Sequence, residues 1–281
     1  MSDPLTTLNN ACQQVGLDST AAELIRAGEN TLYRLPAAVV ARVTRAGGLE
    51  AARKETRVSR WLQHVGIPVV EAIPQIAQPV EIDGRAVTFW RELPAHSEGS
   101  IGQVADVLRQ IHRLQPPADL ELPRLEPFVR LDQRIATAAV LSTDDRAWLA
   151  THLERLQKQY EHLSPGLPQS AVHGDAWGGN IVATATGPVV LDLERFAYGY
   201  PEWDLASIAV DHFTFGTTSA SQWAQFCARY GHDVTEWAGC SVLRDARELR
   251  KVTFAAQMAD QYPHLAEQAR YRLACVARLS A

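Results

Sequence analysis

The sequence predicts an α+β protein with strands in its first third and helices through the rest. Three observations predict this. Between residues 31 and 90, short runs rich in Val, Ile and aromatic residues alternate with Gly, Pro and Asp-Gly turn signals. From about residue 97 onward, apolar residues recur with the helical period of about 3.6. Inside that helical part, Ile181-Val182-Ala183 and Val189-Val190-Leu191 flank Thr186-Gly187-Pro188 and read as one small hairpin. At 281 residues the chain has room for two lobes, a strand-rich one over 1–94 and a helical one over 95–281.

Residues 1 to 25 read as short helices, with Leu5, Leu8, Cys12 and Val15 on one stripe. Gly28-Glu29-Asn30 opens a turn, followed by strands at T-L-Y-R-L and A-V-V-A-R-V. A helix over 49–65 carries Ala51, Val58, Leu62 and Val65, and ends at Gly66 and Pro68. Glu55 falls on that apolar stripe, where a carboxylate needs a partner; Arg42 on the second strand is the natural one. Three strands follow, V-V-E-A-I, Q-P-V-E-I-D and R-A-V-T-F-W, the last two joined by the hairpin signal Asp83-Gly84. Beyond them, helices are expected from Ile101 to Leu114, near 128–141, over 143–162 with Thr143 as N-cap, and near 203–215, 219–230, 241–259 and 263–279. Gly231 reads as a helix-ending residue, and His112 as a structural histidine.

Hydrophobic content of 46%, charged content of 21% and a net charge of −5 describe an ordinary globular chain with no basic footprint for nucleic acid. No apolar run approaches the ~20 residues that span a bilayer, and M-S-D-P-L-T-T has no signal-peptide pattern. Cys12, Cys227, Cys240 and Cys275 are scattered and read as reduced thiols in a cytoplasmic protein, monomer or homodimer.

The chemistry concentrates in residues 171–204. Loops at the open ends of the hairpin carry His173, Asp175 and Asn180 on one side and Asp192 and Glu194 on the other. Asp175, Asn180 and Asp192 are therefore expected to converge on an oxygen-rich site for a hard cation such as Mg²⁺, with one carboxylate left to orient a hydroxyl. Gly178 and Gly179 let the loop turn tightly.

H-G-D-x-x-x-x-N followed by L-D-x-E resembles the aminoglycoside phosphotransferase and choline kinase-like family. The resemblance implies a bilobal protein-kinase-like fold and an ATP/Mg²⁺-dependent transfer of phosphate to a small-molecule hydroxyl. It makes Asp175 the residue facing that hydroxyl and Asn180 and Asp192 the metal ligands. It puts Arg42 where the family usually has a lysine that bridges nucleotide phosphates and pairs with the helix glutamate, here Glu55. It places Gly28 and Asn30 over the phosphates, and the backbone of Arg91 to Leu93 against adenine. His173 orders the loop and Asp204 braces it from below. Glu194 is expected to serve a second metal or a cationic substrate, and Trp177, a departure toward bulk from the family's loop, to line the acceptor pocket.

The acceptor is the open question. Glu194, Glu202 and Asp211 would suit a cation. The family resemblance, with an Arg-rich, Ala-rich composition of the kind that GC-rich genomes of antibiotic producers give, points to an antibiotic, either an aminoglycoside or a basic cyclic peptide. Two readings stand beside it: kinase of a host amino sugar or amino alcohol, and a non-catalytic nucleotide-binding regulator. The sequence leaves ATP and GTP open.

Overall fold

A computed structural model of the chain describes residues 3–28 and 30–279. In chain order the first elements are α1 (Pro4–Val15), β1 (Glu23–Arg26), β2 (Thr31–Leu35), β3 (Val39–Ala46), α2 (Leu49–His64), β4 (Val80–Ile82), β5 (Arg85–Arg91), β6 (Ser97–Glu98) and α3 (Ile101–Ile111). Next come α4 (Leu131–Thr137), α5 (Thr143–Tyr160), β7 (Ser170–Val172), β8 (Ile181–Thr184), β9 (Gly187–Val190) and β10 (Ala197–Gly199). The chain closes with α6 (Glu202–Phe213), α7 (Ala220–Tyr230), α8 (Cys240–Gln261) and α9 (Ala266–Leu279). This is the α+β class that the patterning predicts. Two compact units emerge. The first takes residues up to Ile111 with Gln115–Leu122 and Gly178–Phe196; the second takes His112–Leu114, Pro123–Trp177 and the chain from Ala197 onward. Among the described residues, no helix is long and apolar enough to cross a membrane.

The first unit is built on an antiparallel sheet in the order β1-β2-β3-β5-β4. Asp83 and Gly84 take φ of 49° and 75°, the left-handed pair that a two-residue hairpin between β4 and β5 requires. Alternate residues of β3 (Val39, Ala41 and Val43) join Tyr33, Leu35, Val87 and Phe89 in a core covered by Leu8, Ala11 and Cys12 of α1. Strand alternation then turns Arg42 to the opposite face. A second small sheet, β6-β8-β9, holds the predicted hairpin. Gly178 approaches Gly99 so closely there that a Cβ on it would lie 2.7 Å from the Gly99 carbonyl oxygen.

The second unit packs α4, α5, α8 and α9 around Leu131, Leu149, Leu156, Leu249, Val252 and Val276. Trp203 and Ala206 of α6 meet Leu243 and Ala246 of α8 in an adjoining cluster. α5 begins in a capping box: Ser142 accepts from the Asp145 N–H, and the Asp145 carboxylate accepts from the Ser142 N–H.

Several local expectations change. The helical reading of residues 1–25 stops at Val15, because residues 23–26 form edge strand β1; Met1 and Ser2 lie outside the described residues, as does Glu29 of the expected turn. Leu5 is exposed, and Ala52, not Ala51, is buried on α2. Residues 69–73 form no strand; only Val69 and Ala72 make isolated bridges. Ser142, one residue before Thr143, is the cap of α5. The β8–β9 turn is Ala185-Thr186, with Gly187 already in β9. The left-handed glycine of the H-G-D loop is Gly174, φ 83°, while Gly178 serves close packing against Gly99.

Candidate active site

In the first unit, Arg42 is the centre of a charge cluster. Its Nη1 donates to Glu55 on α2, and its Nη2 donates at 3.1 Å to Glu194, in the 3₁₀ turn over Leu193–Arg195. With the Asn30 amide oxygen facing it, Arg42 also donates from Nη2 at 2.7 Å and from Nε at 3.2 Å. Burial pushes the Glu55 carboxyl up to about 7; Arg42 pulls against this, while Glu194 and Asp192 add to it. Burial also lowers the Arg42 guanidinium, but Glu55, Glu194 and Asp192 outweigh that and leave it above its ordinary value.

α2 grips the same 3₁₀ turn a second time. Lys54 donates to the carbonyls of Glu194 and of Phe196, the latter at 3.1 Å, and burial pulls its pKa below the usual lysine value. Trp61 of α2 meets the Phe196 ring edge-on at 6.2 Å. Asp192 immediately precedes the turn in a left-handed conformation, φ 52°, which aspartate tolerates better than most residues. The Leu191 N–H donates to the Asn180 carbonyl at 2.7 Å, closing the open end of the hairpin, so Asn180 and Asp192 leave β8 and β9 at the same end. These two supply an amide oxygen and a carboxylate. Among the described residues there is no group of three or more His, Cys, Asp or Glu arranged to hold a metal. A sparse, oxygen-only donor set fits Mg²⁺, which keeps several waters and substrate phosphate oxygens in its shell.

In the second unit, Asp204 of α6 is fully buried and organises the H-G-D loop. Its carboxylate accepts the N–H groups of His173 at 2.7 Å and Gly174 at 2.9 Å. His112 Nε2 stands 3.1 Å away and Arg247 Nη2 3.4 Å away. His112 is itself held at Nδ1 by the Tyr230 hydroxyl at 2.8 Å. The left-handed Gly174 lets two successive amides turn toward one carboxylate. Burial raises the Asp204 pKa, but His112, Arg247 and His173 outweigh it and hold the carboxyl below its ordinary value. Asp175 follows with its side chain 51% exposed and Oδ1 3.7 Å from Arg247 Nη1. Arg247 is buried; its guanidinium lies 3.8 Å over the Trp203 ring and its Nε donates to the Trp203 carbonyl at 3.0 Å. Trp203 Nε1 in turn donates to the Gly174 carbonyl at 3.0 Å.

The remaining candidates differ in placement. Gly28 lies in the bend between β1 and β2, two residues before Asn30. The Arg91 N–H is taken by the Glu71 carbonyl at 2.9 Å and that of Glu92 by Ala38 at 2.7 Å, so the first amide after β5 with no backbone partner among the described residues is Leu93. Trp177 is an exposed side chain of the second unit. Glu202 is sealed from solvent and accepts the Leu167 N–H, so its expected acceptor contact gives way to a structural role. The other acids invoked for a cation are engaged too: Glu194 by Arg42 and Asp211 by Lys251.

Sequence reasoning missed Lys54 and Arg247. Arg247 carried the signal that marked Glu55: it lies four residues after Leu243 and beside Ala246, on the apolar face of its helix. Lys54, next to Glu55 and one of three lysines in the chain, had no such mark, because it acts on backbone carbonyls.

Comparison with known proteins supplies relatives for the chain and for its fold. A probable ketoamine kinase from Lactiplantibacillus plantarum is 27% identical over 149 residues, 47% of this chain and 52% of that protein; the chain thus matches about half the length of its curated relative. Among solved structures, the amicoumacin kinase hAmiN in complex with AMP-PNP and Ca²⁺ superposes with a TM-score of 0.68 at 15% identity, over 99% of this chain and 94% of that one. The aminoglycoside phosphotransferase APH(3'')-Id from Streptomyces rimosus, complexed with ADP and streptomycin, gives 0.62 at 19% identity over 88% and 99%. Choline kinase LicA from Streptococcus pneumoniae gives 0.66 at 14% identity over 97% and 98%, so the fold is the protein-kinase-like one of these enzymes. Residues 23–243 match the phosphotransferase enzyme family, and the chain belongs to it.

Proposed function

We propose that the chain is a small-molecule kinase that transfers the terminal phosphoryl group of a nucleoside triphosphate to an acceptor hydroxyl. The observation that carries this is the support beneath Asp175. Buried Asp204 pins two amides of its loop, Arg247 stands beside it, and its own carboxylate remains exposed. Phosphoryl transfer asks a protein mainly to position groups and neutralise charge. Asp175 accepts the hydrogen bond of the acceptor hydroxyl and then its proton, while Arg247 keeps the carboxylate in one orientation. Asn180 and Asp192 are the residues to hold Mg²⁺, which when bound neutralises charge on the transferring phosphate. Arg42, steadied by Glu55, Glu194 and Asn30, presents a fixed positive charge for nucleotide phosphates, and the Leu93 N–H is the amide left for the base.

The acceptor divides the reading in two. Similarity in fold to an amicoumacin kinase and to an aminoglycoside phosphotransferase bound to streptomycin supports an antibiotic, with the chain conferring resistance. Similarity in sequence to a ketoamine kinase supports a metabolite. The acids that favoured a cationic antibiotic are sealed or ion-paired, which removes that argument. Asp175→Asn tests the function: phosphate transfer is lost while ADP binding, measured by calorimetry, stays within about twofold. Turnover retained in that variant would exclude Asp175 as the group that takes the hydroxyl proton. Expression in a sensitive host, read as drug susceptibility, separates antibiotic from metabolite.

A further inference from the structure

The second unit holds a cluster of charges with no part in the phosphoryl transfer itself. Lys251 of α8 pairs with Asp211 of α6. Arg272 of α9 reaches the Lys251 carbonyl at 3.4 Å. Both cations face one aromatic ring: Lys251 Nζ lies 6.0 Å and Arg272 Cζ 5.6 Å from the centroid of Phe215. The cluster carries two positive charges against the single negative charge of Asp211, and among the described residues no carboxylate makes an ion pair with Arg272. A half-buried guanidinium that must share one carboxylate with a neighbouring ammonium is incompletely neutralised, an arrangement that an anion relieves. Burial holds both Arg272 and Lys251 below their ordinary values, Asp211 notwithstanding, and Arg247 and Arg272 push Lys251 further down.

Position gives the cluster its meaning. Lys251 lies four residues after Arg247 on α8, hence one turn along the same face, roughly 6 Å between Cβ atoms. Arg247 is the cation beside Asp175. The stretch from Lys251 through α9 also lies beyond the residues that match the family. Resting on the kinase reading, we propose that the acceptor carries a carboxylate that seats on Arg272 and Lys251 while its hydroxyl faces Asp175. A carboxylate fits better than a phosphate: the excess charge is a single positive one, a guanidinium receives a planar carboxylate through two parallel hydrogen bonds, and Asp211 repels a dianion more than a monoanion.

The experiment compares acceptors that differ only in that group: glucuronate against glucose, homoserine against homoserinamide, and fructosyl-glycine against fructosyl-glycinamide, with streptomycin as a cation lacking a carboxylate. The purified full chain is assayed for phosphate transfer with ATP and Mg²⁺, and ATP hydrolysis to water is followed in parallel. The expected result is a preference of about 10- to 100-fold in kcat/KM for the carboxylate member of at least one pair. Arg272→Gln brings the ratio near one without changing hydrolysis to water, and Arg272→Lys keeps part of it. Lys251→Met lowers the same ratio and serves if Arg272→Gln melts early. Equal or better transfer to the uncharged members or to streptomycin overturns the proposal. So does a preference that survives Arg272→Gln, and so does hydrolysis of ATP with no transfer to any carboxylate compound. Absence of all ATP turnover strikes the kinase reading itself.

Discussion

Arg247→Met removes the cation that joins α8 to the H-G-D loop while keeping most of the side-chain volume. The loss can be built up from its contacts. A hydrogen bond from a charged donor to the Trp203 carbonyl at 3.0 Å contributes about 1.5–3 kcal/mol. Stacking at 3.8 Å over the Trp203 ring adds about 1–2 kcal/mol in a desolvated setting. Removing a buried guanidinium also removes its desolvation cost, which works the other way. Asp204 is not left as a lone buried charge, because the amides of His173 and Gly174 and the His112 ring still hold it. The net cost should therefore sit at the low end for breaking a buried ion pair, about 3 kcal/mol. For a chain of this size that lowers the melting midpoint by roughly 6–12 °C. Tryptophan fluorescence reads the transition directly, since Trp203 is the stacked ring. A double-mutant cycle with Asp204→Asn should give a coupling of about 1–3 kcal/mol. A shift under about 2 °C, or additivity within about 0.5 kcal/mol, would refute the idea that Arg247 is integral to the loop's support.

Other outcomes follow from the same contacts. Glu55 has a folded pKa of about 7 against 4.5 for the free group, so the folded state holds the extra proton between those values. Stability then falls as pH rises from about 4.5 to 7, by at most about 3 kcal/mol, and Glu55→Gln flattens that slope in melts taken across the window. Asp204 behaves oppositely: its depressed pKa contributes stability above 3.8 that is lost as pH falls below it, and Asp204→Asn makes acid unfolding less steep. Lys54→Met releases the carbonyls of Glu194 and Phe196 and should raise the Mg²⁺ concentration for half-maximal turnover by about tenfold, with acceptor KM unchanged. Asp192→Ala should abolish the Mg²⁺ dependence of nucleotide binding measured by calorimetry, and an unchanged dependence would remove it from the metal site.

The parts of this fold that the sequence made legible are those in which one local rule decides the outcome. Asp83-Gly84 needs two left-handed residues and has them. Glu55 on an apolar stripe demanded a cation, and Arg42 meets it. The 3.6-residue period located α5 to α8 within a few residues. Where two rules competed, the reading slipped. Residues 69–73 have strand composition, yet the backbone partners of Val69 and Ala72 are single residues of β9 and β5, so no ladder forms. Glu202 looked like a surface acid of the site because charged residues usually are, but the Leu167 amide draws it inside. Lys54 and Arg272 depend on tertiary partners, which no spacing announces: carbonyls of a distant turn in one case, a ring on α6's trailing loop in the other.

Arg42 shows how a departure from a family's usual residue follows from its surroundings. A lysine there would bring one compact ammonium on a flexible stem. The first unit instead offers three acceptors in different directions: Glu55 from α2, Glu194 from the 3₁₀ turn after Asp192, and the Asn30 amide oxygen from the segment before β2. A planar guanidinium has separate N–H groups for each and keeps its charge despite burial. With Glu194 drawn in, α2 and the Asp192 turn are joined through Arg42 as well as through Lys54, so the residue proposed for the nucleotide and the residue proposed for the metal share one support. Arg42→Lys leaves at least one of the two carboxylates without its hydrogen bond. Because Glu55 is the more buried, the ammonium should follow Glu55 and release Glu194. The variant is then expected to lose metal affinity as well as nucleotide affinity, whereas an arginine that served phosphate alone would lose only the latter.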